Sequence, residues 1–145
     1  MKPPLLSSEI LHASTVARDG RAVLITGPSG SGKSDLALRL LERGFRLVSD
    51  DQTMVRLDGG RLVASAQPNI AGKLEVRGIG IVEIEHDDNL PVALMVVLTS
   101  EIARLPEADR TELILGLPVP LVAIDPMPAS AASKVALALD RMGIK

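Results

Sequence analysis

The chain has 145 residues, 46% of them hydrophobic and 23% charged, and its 16 basic and 18 acidic side chains leave a net charge of −2. That length fits one domain, expected over residues 1–145, and the charge balance offers no bulk attraction to nucleic acid or to a membrane surface. Phe45 is the sole aromatic residue and cysteine is absent, which excludes stacking platforms for single strands, disulfide frameworks and cysteine metal clusters.

No basic start followed by an apolar core is present, so no signal peptide is read. Residues 11–17 read as a short extended segment, and Asp19-Gly20 signals a turn. Ala22-Val23-Leu24-Ile25-Thr26 is then a buried strand, followed by a glycine-rich loop. From Ser34 the apolar residues Leu36, Ala37, Leu40 and Leu41 recur at helical spacing, and Gly44 sits where a helix stops. Residues 45–48 form another buried strand ending in Ser49-Asp50-Asp51. Residues 53–57 and 61–66 make a hairpin around Asp58-Gly59-Gly60. Residues 68–78 read as a loop and 79–84 as a strand. The longest apolar run, residues 90–98, contains Pro91, is too short to span a bilayer, and holds the most strand-like stretch of the chain. Pro118, Pro120, Pro126 and Pro128 mark rigid turns around a strand at 119–124. Residues 130–142 read as a terminal helix with Ser130 as N-cap. Met54, Met95, Met127 and Met142 read as core filler. The fold expected is α/β, a mixed sheet with two main helices and too many hairpins for a pure βαβ alternation. The compartment expected is the cytoplasm.

Gly27-Pro28-Ser29-Gly30-Ser31-Gly32-Lys33-Ser34 fits the phosphate-loop pattern G-x-x-x-x-G-K-[ST] in full. Its glycines let the backbone wrap phosphate oxygens, and the helix behind it adds a positive N-terminal end. Lys33 faces the β- and γ-phosphates as a point charge, and the Ser34 hydroxyl is a Mg²⁺ ligand. The bland alternative is a glycine-rich turn capping a helix. The strand before the loop and the helix after it favour the phosphate reading.

An apolar strand ending in Asp50-Asp51 suits a metal-holding carboxylate downstream of such a loop, against the alternative of a solvated turn. Adjacent strand residues point to opposite faces, so the two acids are expected to do different jobs, one at Mg²⁺ and one at a substrate hydroxyl. Lys73-Leu74-Glu75-Val76-Arg77-Gly78-Ile79-Gly80 is a backbone that something approaches closely or that turns sharply. There Glu75 and Arg77 share a face, either for chemistry or as a surface ion pair. His12 stands in a small-residue stretch and, alone, reads more readily as packed or surface than as catalytic. His86, within Glu83-Ile84-Glu85-His86-Asp87-Asp88, reads as part of a solvated acidic loop ahead of a metal site.

The order of these pieces resembles bacterial HPr kinase/phosphorylase, in its C-terminal catalytic domain. The family pattern is a His, a strand ending in a Thr-Gly phosphate loop, a Lys-Ser helix closing in Arg-Gly, a strand ending in Asp-Asp, and a Glu-[Ile/Val]-Arg-Gly-[Leu/Ile]-Gly-Ile signature. Here these are His12, Leu24-Ile25-Thr26-Gly27, Lys33-Ser34-Asp35, Arg43-Gly44, Ser49-Asp50-Asp51 and Glu75-Val76-Arg77-Gly78-Ile79-Gly80-Ile81. The likeness covers about residues 8–85, and the last element is the discriminating one.

The resemblance implies a P-loop nucleotide-binding fold like the core of phosphoenolpyruvate carboxykinase. It implies phosphoryl transfer from ATP, or from pyrophosphate, to a serine of HPr, a small carrier of the sugar phosphotransferase system. Removal of that phosphate by phosphorolysis, use of Mg²⁺ and assembly as hexamers are implied too, with no nucleic-acid or membrane partner. It makes Asp50 the residue that takes and returns the serine proton. Asp51 and Glu75 join Ser34 as metal partners, His12 and Lys33 become phosphate-side catalytic contacts, and Arg104 matches an active-site arginine. The chain departs from the pattern in several places. A short form without the N-terminal domain of longer members is expected, and Asp35 and Phe45 stand where Glu and His are usual. Ala123-Ile124-Asp125-Pro126-Met127-Pro128 replaces an arginine-bearing Pro-Gly run. A form that acts mainly as a kinase is therefore expected. Two competing readings are a generic P-loop small-molecule kinase or ATPase, and a catalytically silent nucleotide-binding regulator.

Overall fold

The computed structural model describes residues 7–105 and 110–145. In chain order the elements are β1 (Ser8–Leu11), β2 (Ala13–Arg18), β3 (Arg21–Thr26), α1 (Lys33–Leu41), β4 (Arg46–Ser49), β5 (Thr53–Asp58) and β6 (Arg61–Ser65). They continue with β7 (Lys73–Val76), β8 (Gly80–Glu83), β9 (Leu90–Leu98), β10 (Thr111–Ile114), β11 (Leu117–Ile124) and α2 (Ala131–Met142). The mixed sheet and the two helices are as the sequence predicts.

Nine strands share one curled sheet in the order β1-β5-β6-β9-β3-β2-β4, with β11 joining at β9 and β10 at β11. The curl comes from β9, which is nine residues long and serves two partners on one side. Its start pairs antiparallel with β6 at Leu90 and Pro91, and its end pairs parallel with β11 from Met95 to Leu98. On its other side β9 runs parallel to β3, so β3, β9 and β11 all finish at the same end of the sheet.

Strand alternation then divides the core in two. Val23 and Ile25 of β3, with Leu94, Val96 and Leu98 of β9, face Leu36, Leu40, Val135 and Leu139 of the helices. Ala22 and Leu24, with Val92 and Met95, face Val55, Leu62, Ile114 and Val119 of the outer hairpins. α1 buries Leu36, Ala37 and Leu40 at helical spacing. It stops where Gly44 takes φ 86° and the Phe45 amide donates to Leu40 O at 3.2 Å, a left-handed stop that glycine adopts without strain.

Several local expectations are corrected. The extended segment at 11–17 is two strands broken at His12. The loop expected at 68–78 contains β7, which pairs with β8 as a separate two-stranded sheet. A strand that short, set between Gly72 and Gly78, has too little periodicity to read. α1 begins at Lys33, one residue early. Ser130 precedes α2 but its hydroxyl makes no capping bond, and Met127 is 84% exposed rather than core.

The β7–β8 hairpin is anchored by Leu74, fully buried in the helix-side cluster, with Val76 packed against it. Leu74→Ala is expected to cost about 2–5 kcal/mol, the usual range for truncating a buried leucine. A urea melt checks this, and a midpoint equal to wild type would mean that the hairpin is not part of the cooperative core.

Candidate active site

The site is built where β3 ends. Thr26 leads into the loop Gly27–Ser34, in which Gly30 and Gly32 hold φ of 80° and 101°. A Cβ on Gly27 would lie 2.6 Å from Ser31 Oγ and 3.2 Å from Leu98 Cβ, so the loop closes only around a residue without a side chain. Ser31 Oγ is buried and has no hydrogen-bond partner among the described residues. Gly32 makes no side-chain cap, and the first α1 amide bonded within the helix is that of Leu36, to Gly32 O at 2.9 Å. The amides of the first turn are therefore left for an anion. Lys33, buried, lays its Nζ on the loop's own carbonyls, 2.9 Å from Gly27 O and 3.3 Å from Pro28 O. An ammonium and an uncapped helix start thus surround one loop, the fit expected for a polyphosphate.

The second half of the site comes from β2 and β4. Ala13 pairs with Thr26 and Thr15 with Ser49, so the register brings the start of β2 beside the root of the phosphate loop and the end of β4. Ser14 lies on β2 between those pairs, fully buried, and donates through Oγ to Asp50 Oδ1 at 2.8 Å. Ser34 Oγ donates to the same oxygen at 2.6 Å, and the Glu75 amide donates to Oδ2 at 3.0 Å. Asp50 thereby ties the phosphate loop, β2 and the β7–β8 hairpin together. Ser14 was missed in the sequence. Its signal was a Ser-Thr pair inside an otherwise apolar strand, and Thr15, also fully buried, bonds Thr53 at 2.7 Å.

The remaining candidates divide. Asp51 sits beyond the strand with φ 65°, its amide held by Ser14 Oγ at 3.1 Å. Its exposed carboxylate makes no hydrogen bond or ion pair among the described residues. Glu75 reaches Asp50 through its backbone, while its side chain is exposed and forms no ion pair with Arg77. His12, exposed, occupies the break between β1 and β2, one residue before the Ala13–Thr26 pair and so at the phosphate-loop end of the sheet. Pro28 and Ser29 lie exposed on the loop's outer arc. Arg104 is not brought to this group. It lines a separate cleft with Lys134, Leu137 and Arg141 of α2, on the flank of β11. His86 packs over Gly72, where a Cβ would lie 2.8 Å from its Nδ1, and its loop is pinned by Arg46 to Asp87 at 2.9 Å. That contact raises the Arg46 pKa. Among the described residues no three of His, Asp and Glu converge as a metal cluster. A divalent cation here would depend on Ser34 Oγ and the Asp50 carboxylate, with the rest of its shell from phosphate oxygens and water, which is how Mg²⁺ is usually held.

A family model described as the HPr serine kinase C-terminal domain matches residues 4–140. The chain belongs to that family. Among curated members, the HPr kinase/phosphorylase of Lacticaseibacillus casei (strain BL23) is 35% identical over 127 residues, covering 79% of this chain and 40% of that protein. The one from Chlorobium luteolum is 38% identical over 131 residues, covering 81% and 40%. The chain thus spans about 40% of the length of these relatives. The solved Hpr(Ser) kinase/phosphatase of Coxiella burnetii superposes with a TM-score of 0.79 at 27% identity, covering 91% of this chain and 94% of that one. Membership in the HPr serine kinase family accounts for the curled mixed sheet and for a phosphate loop set beside an Asp-Asp turn.

Proposed function

We propose that the protein is an ATP-dependent kinase that phosphorylates a serine of HPr in the cytoplasm, with residues 1–145 acting as one catalytic domain. The observation that carries the reading is the three-way contact at Asp50. A phosphate-loop serine, a β2 serine and the amide of the family's signature hairpin all donate to one carboxylate. That ties nucleotide and acceptor machinery to a single point.

The residues take the following roles. The loop amides and Lys33 hold the β- and γ-phosphates, and Ser31 Oγ gains a phosphate partner. Ser34 and Asp50 would hold Mg²⁺, which when bound would supply positive charge to the phosphates. Asp51, whose carboxylate is uncommitted at the mouth of the turn, accepts the proton of the acceptor serine. The serine oxygen then bonds to the γ-phosphorus as the bond to ADP breaks. This reverses the expected division, in which Asp50 took the proton and Asp51 and Glu75 the metal. The support is that all three donors found at Asp50 are structural neighbours, whereas Asp51 has none at its side chain. His12 stands on the phosphate side.

The test is transfer of label from γ-³²P-ATP to purified HPr with and without Mg²⁺, with pyrophosphate as a second donor. Phosphoserine on HPr is expected only with the metal. ATP hydrolysis without label on HPr would favour a small-molecule kinase or ATPase, and ATP binding without either would favour a silent regulator.

Assembly into a hexamer belongs to the same reading. Leu137 is 56% exposed on α2, and Met142 is also exposed, so the helix carries apolar surface that its own sheet leaves uncovered. Light scattering is expected to report an oligomer that Leu137→Lys weakens. A strict monomer at working concentration would remove the assembly from the proposal.

A further inference from the structure

We propose that the tip of the β7–β8 hairpin is the docking platform for the protein acceptor, with Ile79 and Ile81 as its anchors. The inference rests on the kinase reading above and names where on this chain the substrate is gripped. Ile79 and Ile81 are 79% and 73% exposed, two residues apart. Single exposed apolar residues are ordinary, but a contiguous pair raised on its own small sheet marks a contact surface.

The backbone is built to present them. The Ile79 amide closes a turn on Val76 O at 3.0 Å, between Gly78 at φ 85° and Gly80 at φ 119°. The second of these angles is open essentially to glycine alone. Cross-strand register then fixes which way each residue faces. Leu74 pairs with Val82, and Leu74 turns into the core. Glu75 pairs with Ile81, so these two share the outer face, together with the Lys73–Glu83 pair. Ile81 is therefore the direct neighbour of the residue whose amide holds Asp50. A partner resting on Ile81 is separated from Asp50 by the single strand β7, whose Glu75 amide makes the contact.

The chemistry of the rim selects the occupant. Lys73 and Arg77 are matched by Glu75 and Glu83, so the surface has no net sign to attract a polyanion. An apolar centre with a mixed polar border is the anatomy of a protein contact. Two isoleucines bury far less than the roughly 1,200–2,000 Å² of a stable complex, which disfavours permanent self-association here. A small patch of this kind suits a substrate that must leave after every transfer. The acceptor accordingly carries an apolar patch beside its reactive serine.

The experiment is the double variant Ile79→Ser/Ile81→Ser, both at exposed positions, assayed with HPr and ATP. Burying one isoleucine in a partner is worth at least a factor of ten in affinity, so KM for HPr is expected to rise about ten- to hundredfold. KM for ATP and kcat at saturating HPr stay at wild-type values, and Ile79→Leu/Ile81→Leu restores most of the acceptor affinity. An unchanged KM for HPr in the serine variant would overturn the platform and leave the kinase reading standing. So would a wild-type oligomer that the serine variant dissolves, since the pair would then belong to a contact between copies. If the wild-type protein binds ATP but never labels HPr, the kinase reading fails and the platform falls with it.

Discussion

Lys33→Ala is expected to lower ATP affinity, transfer rate or their product by about 10²- to 10³-fold. In the free protein the Lys33 ammonium is satisfied by two neutral carbonyls, Gly27 O at 2.9 Å and Pro28 O at 3.3 Å. Phosphate oxygens are anionic, and a hydrogen bond to an ionised acceptor is roughly twice as strong as a neutral one. A bound nucleotide would therefore draw the ammonium from the loop at a net gain, and the gain would grow as charge spreads over the γ-phosphoryl oxygens. Removing one such preorganised donor typically costs about 3–4 kcal/mol of barrier, and each 1.36 kcal/mol is tenfold in rate. Folding should change less, because the bonds lost are two contacts from Nζ to carbonyls of its own loop. Calorimetry and the HPr transfer assay measure the two effects. Unchanged ATP affinity together with unchanged turnover would mean that the loop is only a helix cap.

What was legible in the sequence was local. The phosphate loop and α1 are specified by glycines, a lysine and helical spacing within 15 consecutive residues, 27–41. The β5–β6 hairpin is specified by Asp58-Gly59-Gly60, where both glycines take positive φ. What was not legible was created by register and by departures from regular backbone. The argument that Asp50 and Asp51 face opposite ways assumed that both lie on a strand. β4 ends at Ser49, the Gln52 amide bonds back to Asp50 O at 2.7 Å, and Asp51 is left-handed, so strand alternation does not govern either acid. Ser14 becomes a site residue because β2, already joined to β3 by the hairpin at Asp19-Gly20, also pairs with β4 some thirty residues on, and no local pattern announces that second pairing. Arg104 illustrates the converse. It follows β9 closely in sequence, but the chain carries it round to the flank of α2.

Asp50→Asn and Asp51→Asn are expected to fail in different ways, and the difference assigns the two roles. At Asp50 both carboxylate oxygens are used as acceptors, by Ser14 Oγ, Ser34 Oγ and the Glu75 amide. An asparagine has one acceptor oxygen and one amide that donates. If the amide faces Glu75 it meets another N–H, and if it faces the serines one or both hydroxyls must turn away. Each orphaned group costs about 1–3 kcal/mol. Ser34 is one of the two hydroxyls exposed to that change, and the charge beside the cation site is lost in either orientation. Asp50→Asn should therefore raise the Mg²⁺ concentration needed for half-maximal transfer and lower the melting temperature. Asp51→Asn disturbs no side-chain bond among the described residues, and the amide that anchors its turn to Ser14 Oγ is backbone. It should keep its stability, its ATP affinity and its Mg²⁺ requirement. What it loses is the group proposed to take the serine proton, worth about 10²- to 10⁴-fold in rate, or roughly 3–5 kcal/mol of barrier. Thermal melts, Mg²⁺ titrations and single-turnover transfer to HPr separate the two patterns. If Asp51→Asn transfers at the wild-type rate while Asp50→Asn is slow at every Mg²⁺ concentration, the proton belongs to Asp50. Its three hydrogen bonds would then have to rearrange when the acceptor binds.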